Sequence, residues 1–377
     1  MPLRYVRTRN LSDPAIAFDL TPLQNSHRFR GIGTYVRGLA RRLVSQTEVP
    51  IEFWAWSGDI ELDVSPPHHL VSMRRFPMPA YRGAWAFAQA AMRWRIVRSR
   101  CTAVHITDPN GLVHTGGRTV ITTAYDLIPY KEGLRGMGII ARTGYRSYLG
   151  ALRHADRILA ISQQTADDLS ERLAIPRQRI RLARPGVDLP AAAVASTTPE
   201  RPYFLFLGGP NPNKNLPVLL EAMEVAKELP QELVVAGHWL PFQVENLRRT
   251  ISAKGLEGRV RHAGFVPPAG LVPLMREATA LVVPSLSEGF GLPVAEGLAA
   301  GALVIHSRIP VLEEISEGAA LVFDPTSAIE LAACLREAAD PAGSKMLRER
   351  GLQRARGLTW DAAVAATIET YRSALRS

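Results

Sequence analysis

Several features that mark particular protein classes are missing from this 377-residue sequence. Its only two cysteines, Cys101 and Cys334, lie far apart, so each is expected to be a small buried residue rather than half of a disulfide. No cluster of cysteine and histidine has metal-ligand spacing, and no run of about 18 apolar residues could span a membrane. The N-terminal stretch also lacks the apolar core of a signal peptide. We therefore expect a soluble, cytoplasmic protein without a metal site.

Acidic residues are scarce in the first half of the chain only. The net charge is +10, and residues 1–190 hold 27 Lys and Arg against 15 Asp and Glu. A basic half suggests an anionic partner such as a membrane surface or a lipid phosphate. An arginine-rich overall composition is the alternative. Residues 81–100 predict either a basic amphipathic helix on an anionic membrane, at the inner face, or an ordinary packed helix. We expect no nucleic-acid partner.

Short apolar runs alternate with helical patterns, which is typical of parallel sheets in doubly wound α/β domains. A small, uncharged linker is predicted at residues 190–199. We expect Rossmann-like domains at residues 1–190 and 200–360 that face a central cleft, and a final helix at about 361–377 that could pack back on the first domain. The predicted strands are 15–18, 51–54, 103–106, 119–122 and 157–160 in the first half, and 203–207, 232–236, 260–263, 280–283 and 303–305 in the second.

A glycine-rich turn between a predicted strand and a predicted helix carries two glutamates eight positions apart, Glu288 and Glu296. Gly289 and Gly291 let the backbone approach a ligand closely. The helix that follows offers free N–H groups to an anion or a hydroxyl. Two carboxylates beside such a cradle suit a ligand with phosphates and many hydroxyls, such as a nucleotide sugar. Taken alone, the turn is equally compatible with an ordinary strand–helix connection.

A second turn, between the strand 203–207 and the next helix, contains Gly209 and Lys214. The helix dipole slightly disfavours a cation near a helix start. A lysine at this place is therefore better explained as a partner for a phosphate than as a solvated side chain.

The first half has weaker candidates. Gly31 and Gly33 permit a tight backbone at a helix start, but they come about 12 residues after the strand, which argues against a dinucleotide fingerprint. Tyr125 and Asp126 follow another predicted strand, and a tyrosine is a poor general base at neutral pH. The looser candidates His105 and Asp108 could equally be structural.

Together these segments resemble the retaining glycosyltransferases of family 4, in the mannosyltransferase-like branch, which have the GT-B fold. The stretch from Glu288 to Glu296 resembles the family's Glu-x7-Glu motif, and the Lys214 turn resembles its donor phosphate loop. Residues 31–35 resemble its Gly-Gly-x-Gly-x-Tyr loop, and residues 125–129 its His-Asp-Leu-Ile-Pro segment. The matching segments extend over nearly the whole chain.

The resemblance implies metal-independent transfer of a hexose, such as mannose or glucose, from a GDP- or UDP-linked donor to a hydroxyl of a glycan, glycolipid or small molecule. No cofactor is implied beyond this co-substrate. The second domain would hold the donor and the first the acceptor. Glu288 would face the donor sugar and Glu296 the ribose. The implied catalytic residues are Lys214, Glu288 and Asp126; the donor-binding residues are Gly31, Gly33, Gly209, Phe265, Val266, Gly289, Phe290, Gly291, Leu292 and Glu296; Tyr125, His105 and Asp108 lie on the acceptor side.

The sequence departs from the family pattern at three places. Tyr125 replaces the histidine, Arg30 replaces the first glycine of the Gly-Gly-x-Gly-x-Tyr loop, and the Lys214 turn lacks the arginine that many members place there. Two alternatives follow from these departures and from the shared scaffold: an epimerase that acts on a nucleotide sugar, and a non-catalytic protein that binds one.

Overall fold

The computed structural model of the chain describes residues 15–29, 31–57, 60, 62, 71–76, 98–108, 117–131, 133–134, 138–188 and 201–376. The predicted linker, Arg30 and nearly all of the predicted helix at 81–100 lie outside these residues. The chain divides into two compact units. The first comprises Met1–Gly186 with Trp360–Ser377, and the second Val187–Thr359.

The described part of the first unit contains a seven-stranded sheet in the order β3-β2-β1-β4-β5-β6-β7, in which every neighbouring pair is parallel. The central strands are buried along their length, as expected for a sheet that helices cover on both faces. The strands are β1 Ile16–Asp19, β2 Ile51–Trp56, β3 Val71–Phe76, β4 Ala103–Ile106, β5 Thr119–Ala124, β6 Arg157–Ala160 and β7 Ile180–Leu182.

The described part of the second unit repeats this plan with six parallel strands in the order β10-β9-β8-β11-β12-β13. In both sheets the chain first adds strands on one side and then returns to add the rest on the other. The two doubly wound α/β domains predicted from the sequence are confirmed. The strands are β8 Tyr203–Leu207, β9 Glu232–Ala236, β10 Val260–Gly264, β11 Ala280–Val283, β12 Val304–Ser307 and β13 Leu321–Phe323.

Each sheet has one position at which the order of its strands changes direction. The direction of winding reverses between β1 and β4 in the first unit and between β8 and β11 in the second. In open α/β sheets, ligands bind outside the carboxyl ends of the strands at such a topological switch point. The loops that leave these four strands are therefore the natural positions for functional residues.

Helices connect most of the strands. In chain order they are α1 Gly31–Gln46, α2 Ile128–Lys131, α3 Ile139–His154, α4 Gln163–Leu173, α5 Leu216–Val225, α6 Pro241–Ala253, α7 Pro268–Glu277, α8 Leu292–Ala300, α9 Pro310–Ser316, α10 Ala328–Ala339, α11 Pro341–Ala355 and α12 Trp360–Arg376.

The final helix, α12, packs within the first unit. The ring of Trp360 lies against Gly38 of α1, so closely that a β-carbon at Gly38 would be 2.2 Å from a ring atom. At the other end of α12, the buried Tyr371 hydroxyl lies 2.7 Å from Nδ1 of His105 in β4. The helix therefore contributes to the core of a domain whose other residues come from the start of the chain.

Candidate functional site

The candidate site of the second unit lies at its switch point, where β8 and β11 end. The loop after β8 contains a short 3-10 helix, Pro212–Lys214, and the loop after β11 contains Glu288. The two loops are bonded to each other: Leu286 N donates to Asn213 O at 2.8 Å, and Asn213 Nδ2 donates to Ser287 O at 3.3 Å. The arrangement holds the lysine and the glutamate of the two motifs beside each other.

Lys214 and Glu288 form an ion pair, with Nζ 2.6 Å from Oε1. Ser285 Oγ donates to the same carboxylate oxygen at 2.7 Å. Both charged side chains are largely buried, at 21% and 10% exposed. Since a buried charge is stable only when it is paired or hydrogen-bonded, the lysine and the serine together hold the Glu288 carboxylate in one orientation.

The conformation of the residue after Lys214 helps to aim the lysine. Asn215 adopts the left-handed region, with φ of 52°, and its Nδ2 donates to Pro325 O at 2.8 Å. Asparagine tolerates this conformation better than most residues do. Asn215 in this conformation ends the 3-10 helix and begins α5 in a new direction. Lys214 therefore stays at the carboxyl edge of the sheet.

Gly291 begins the anion cradle that the sequence predicts. Its φ of 96° is unfavourable for any residue with a side chain, and a β-carbon there would lie 2.4 Å from Leu312 Cδ2. Gly291 is the N-cap of α8, with no side-chain hydrogen bond to the first amides. The second helical residue is a proline without an N–H, and the third helical amide donates to Gly291 O at 2.9 Å. The amide of Leu292 is therefore the helical amide available to a ligand, with the positive end of the helix dipole behind it. Phe290 beside Gly291 is buried, and Leu292 is the first helical residue.

Glu296 lies one turn further along α8 and differs sharply from Glu288. It is half-buried and makes no hydrogen bond or ion pair with any residue that the structure describes. Burial raises its pKa to about 7. Burying such a carboxyl group without a protein partner lowers the stability of the fold. This is typical of groups that serve a ligand.

The glycines after β8 bring neighbouring loops into close contact. Trp239 Nε1 donates to Gly208 O at 2.9 Å, and a β-carbon at Gly237 would lie 2.2 Å from the same oxygen. Gly209 has more room, since the atom nearest to a β-carbon added there would be His238 O at 3.9 Å. The packing closes the carboxyl ends of β8 and β9 against each other.

Phe265 and Val266 follow β10 at the same edge of the sheet. Phe265 is 52% exposed, and Val266 is half-buried. An exposed phenylalanine at this edge leaves an apolar surface beside the glycine loop. Their predicted role in donor binding stays a prediction.

The first unit has its own polar cluster at the switch point between β1 and β4. The carboxylate of Asp19 accepts hydrogen bonds from Thr21 N at 2.8 Å, Thr21 Oγ1 at 2.7 Å, Thr107 N at 3.3 Å and Asp108 N at 3.1 Å. Burial, and next the charge of Asp108, raise the pKa of Asp19 to about 6. Asp19 is not among the candidate residues predicted from the sequence. Its position as an acidic residue at the carboxyl end of the first strand was the signal that could have singled it out.

Asp108 connects this cluster to the loop before α1. Its Oδ2 accepts from Asn25 Nδ2 at 2.8 Å, and Asn25 Oδ1 accepts from His27 N at 2.8 Å. Gly33 packs on the same loop, since a β-carbon there would lie 2.5 Å from His27 O. The predicted need for glycine at Gly33 thus has a physical basis in this contact, whereas Gly31 is simply exposed at the start of α1.

Two of the acceptor-side candidates are buried. Tyr125 donates to Thr107 O at 2.9 Å, and burial raises its pKa well above the usual value. His105 is fully buried with both ring nitrogens in hydrogen bonds, to Tyr371 and to Thr123 at 2.7 and 2.8 Å, and burial lowers its pKa to about 3. In this arrangement His105 is a neutral residue of the core. A structural role of this kind is the alternative that the sequence leaves open beside a role in acceptor binding.

Asp126 is half-buried directly after β5, and its Oδ1 accepts from Ile128 N at 3.0 Å. The bond supports the first turn of the short helix α2. Near its far end, Lys131 pairs with the buried Asp168 at 2.9 Å. The predicted catalytic role of Asp126 stays a prediction, and the structure shows that the segment which carries it is anchored.

Comparison with known families agrees with the two-domain division. A model of the family 4 glycosyltransferases matches residues 29–190, and a model of the group 1 glycosyl transferases matches residues 193–353. Among described residues, no group of three or more His, Cys, Asp or Glu could hold a metal ion, and no helix is long and apolar enough to cross a membrane.

Individual relatives share parts of the sequence and the fold. The chain is 31% identical to O-antigen chain mannosyltransferase B of Escherichia coli over 45% of either chain. It is 33% identical to GDP-mannose:cellobiosyl-diphosphopolyprenol alpha-mannosyltransferase of Xanthomonas oryzae pv. oryzae over 43% of this chain and 42% of the relative. The matched parts thus span less than half of these curated relatives.

A solved structure of Anabaena HepE in complex with UDP-glucose has the same fold, with a TM-score of 0.72 at 16% identity, covering 95% of this chain and 99% of that one. The two family models, the motifs at the switch point of the second sheet and the shared fold lead to one conclusion: the chain belongs to the family 4, group 1 glycosyltransferases with the GT-B fold.

Proposed function

We propose that this protein transfers a hexose, mannose or glucose, from a nucleotide diphosphate to a hydroxyl of a glycan or a lipid-linked acceptor. The observation that carries the proposal is the set of groups at the switch point of the second sheet. Two adjoining loops carry Lys214 and Glu288. Helix α8 adds its N-terminus, which no side chain caps, and Glu296, which has no partner among the described residues. The cation, the Leu292 amide and the two carboxyl groups correspond to the parts of a sugar nucleotide.

Each group has a separate task in the proposed donor complex. The Lys214 ammonium pairs with the diphosphate, helped by the Leu292 amide at the start of α8. Glu288 accepts hydrogen bonds from hydroxyls of the transferred sugar, and Glu296 accepts them from the ribose. A carboxylate can accept bonds from two vicinal hydroxyls at once, which explains why two separate carboxyl groups are useful for a ligand with two sugar rings.

The proposed reaction retains the anomeric configuration and needs no metal ion. The acceptor hydroxyl attacks the anomeric carbon on the face from which the diphosphate leaves, and a diphosphate oxygen takes the hydroxyl proton. The carbon–oxygen bond to the diphosphate breaks as the new glycosidic bond forms. Lys214 and the Leu292 amide stabilise the negative charge that develops on the leaving group. This route does not require a histidine base, and so it is compatible with Tyr125.

The names of relatives support the choice of sugar and acceptor. One matching protein is named as a transferase that uses GDP-mannose and a diphosphopolyprenol-linked acceptor, and another as an O-antigen chain mannosyltransferase. HepE, with the same fold, binds UDP-glucose. We therefore propose a GDP- or UDP-linked hexose as the donor, and a location in the cytoplasm at the inner face of the membrane.

A turnover assay over UDP- and GDP-hexoses tests the proposal. The expected result is release of nucleotide diphosphate, with a product whose anomeric configuration by NMR matches that of the donor, and with rates unchanged by EDTA. Both Lys214→Ala and Glu288→Ala should lose the activity. An isomerised sugar nucleotide would show an epimerase instead, and binding without turnover would show a non-catalytic protein. Unchanged turnover in both variants would rule out the site.

A further inference from the structure

Helix α3 carries three exposed arginines whose side chains have no hydrogen bond or ion pair with any described residue: Arg142, Arg146 and Arg153. The helix runs from Ile139 to His154 and contains no acidic residue at all. Charged residues of one sign on an exposed helix face repel one another. An unneutralised row of arginines therefore suggests an anionic partner outside the chain.

The three arginines lie in one row. At ~100° per residue, Arg146 and Arg153 lie about 40° and about 20° around the helix from Arg142. Ile139 lies about 60° from Arg142 on the same side, and it is 85% exposed. We call the surface formed by these four residues the α3 stripe. It is about 20 Å long at ~1.5 Å per residue, and it combines cations with an exposed branched apolar side chain.

The opposite face of α3 is firmly packed. Tyr148, Leu149 and Leu152 are buried in the core of the first unit. The helix is thus fixed to its domain and can present the α3 stripe to a surface without leaving its place. A rigid, preformed surface also loses little conformational entropy when it binds.

Many arginines elsewhere in the described chain have bonding partners within the protein. Several donate to backbone carbonyl groups at the ends of helices and strands, others pair with carboxylates, and Arg348 alone reaches four carbonyl oxygens. Others that bond backbone carbonyls are Arg118, Arg179, Arg259, Arg276 and Arg354. Arg350 of the second unit is exposed and without a partner among the described residues as well. The α3 stripe is therefore distinguished by a row of three such arginines on one helix without acidic residues.

We propose that the α3 stripe docks the protein on a bilayer that contains anionic phospholipids. The arginines contact lipid phosphates, and Ile139 enters the boundary between head groups and acyl chains. The proposal deepens and rests on the proposed function, because a lipid-linked acceptor is presented at such a surface. A nucleic acid would satisfy the arginines but would leave Ile139 in water, so the bilayer is the better match.

Vesicle co-sedimentation tests the proposal with two vesicle types: phosphatidylcholine alone, and phosphatidylcholine with phosphatidylglycerol. The wild type should bind the anionic vesicles at low salt and lose much of that binding at high salt, since surface charges are screened over about 10 Å at 0.1 M. Each arginine near an anionic surface contributes about fivefold in affinity. R142Q/R146Q/R153Q should therefore bind about 100-fold more weakly, and Ile139→Ser several-fold more weakly.

The matched control removes three exposed arginines from the second unit, R248Q/R249Q/R350Q. It should keep wild-type vesicle binding, although its net charge falls by the same amount. Circular dichroism should show both triple variants folded, since all six side chains are exposed.

Donor turnover in solution separates this proposal from the proposed function. The α3 variants should turn over the donor like the wild type. Turnover without any vesicle binding would overturn the docking proposal and leave the proposed transferase function standing. Vesicle binding without turnover would overturn the proposed function and leave the docking proposal standing. Equal binding by the α3 variant and the control would also overturn the proposal. So would tighter binding to single-stranded DNA than to anionic vesicles.

Discussion

Lys214 Nζ and Glu288 Oε1 lie 2.6 Å apart, although the two residues belong to loops that leave different strands of the second sheet. The pair connects the two sides of the switch point, where the strand order places a ligand site. A diphosphate at this place would compete with Glu288 for the lysine. The carboxylate would then be free to accept hydroxyl groups, with Ser285 still holding Oε1. The site thus contains a cation for the diphosphate and a hydrogen-bond acceptor for the sugar of the proposed ligand.

Replacing Lys214 with methionine should lower donor turnover by about 100-fold or more, because a cation that stabilises a leaving group contributes ~3–4 kcal/mol to the transition state. The measurement is the release of nucleotide diphosphate at saturating donor. The matched control is Lys254→Met. Lys254 forms an ion pair with Glu224 at the same distance of 2.6 Å, between the ends of α5 and α6. Turnover in the control should stay within about twofold of the wild type. Equal losses in the two variants would show a general effect on folding.

Glu296→Gln should stabilise the folded protein at pH 8 while it weakens donor binding. A carboxyl pKa raised by burial to about 7 means that stability is lost as the pH rises from about 4.5 through about 7. Glutamine avoids this cost, so we expect a gain of about 1–2 kcal/mol at pH 8, reduced from the full shift because the group is partly exposed.

Urea denaturation at pH 5 and pH 8 checks this expectation. The stability difference between variant and wild type should shrink at pH 5, where the folded protein already holds the proton. A variant that is less stable than the wild type at pH 8 would show that Glu296 supports the fold instead of serving a ligand.

Gly291→Ala should destabilise the protein by about 2–3 kcal/mol, since it combines backbone strain with a clash. The residue has φ of 96°, and the new methyl group would lie 2.4 Å from Leu312 Cδ2. Gly318→Ala separates the two causes, because Gly318 has φ of 78° and open space around it. Thermal unfolding should show a loss of about 1 kcal/mol for that control. Equal losses would mean that Leu312 moves aside freely.

Asp19→Ala should cost about 2–4 kcal/mol, because it leaves the amides of Thr107 and Asp108 and both donors of Thr21 without their acceptor. Asp324→Ala is the matched control. Asp324 makes the same local bonds, to Thr326 N and Thr326 Oγ1, at an exposed position.

Denaturant unfolding at neutral pH should show less than about 1 kcal/mol for this control. For the wild type, the raised pKa of Asp19 predicts some loss of stability as the pH rises from about 4 through about 6. If the two alanine variants unfolded alike, Asp19 would not anchor the loop before α1.

Most of the strands that the sequence predicts are buried along most of their length. All ten predicted strands are present. Nine of them are mostly buried, because continuous apolar runs are needed where helices cover both sides of a parallel sheet, whereas β10 is a partly exposed edge strand. The three strands not predicted are β3, β7 and β13, and each is at the edge of its sheet. An edge strand needs fewer apolar residues, and β3 contains Arg74 and Arg75 in six positions.

Some features of the candidate site were also predictable from the sequence, and others were not. The glycine positions and the loop residues Lys214 and Glu288 were predictable because turns at strand ends require specific residue types. The burial of Tyr125 and His105 was not, since it depends on partners far along the chain: Thr107 for the tyrosine and Tyr371 for the histidine. Contacts of this kind are set by tertiary packing, which local patterns do not encode.

Calorimetric titration of UDP, GDP and the corresponding monophosphates into the wild type and Lys214→Met tests the central claim most directly. The claim is that the switch point of the second sheet binds a nucleotide diphosphate through Lys214. The wild type should bind at least one diphosphate about tenfold or more tightly than its monophosphate, since an added charge-assisted contact contributes ~1.5–3 kcal/mol. Lys214→Met should lose that preference and keep the weaker binding. The same preference in both proteins would contradict the account.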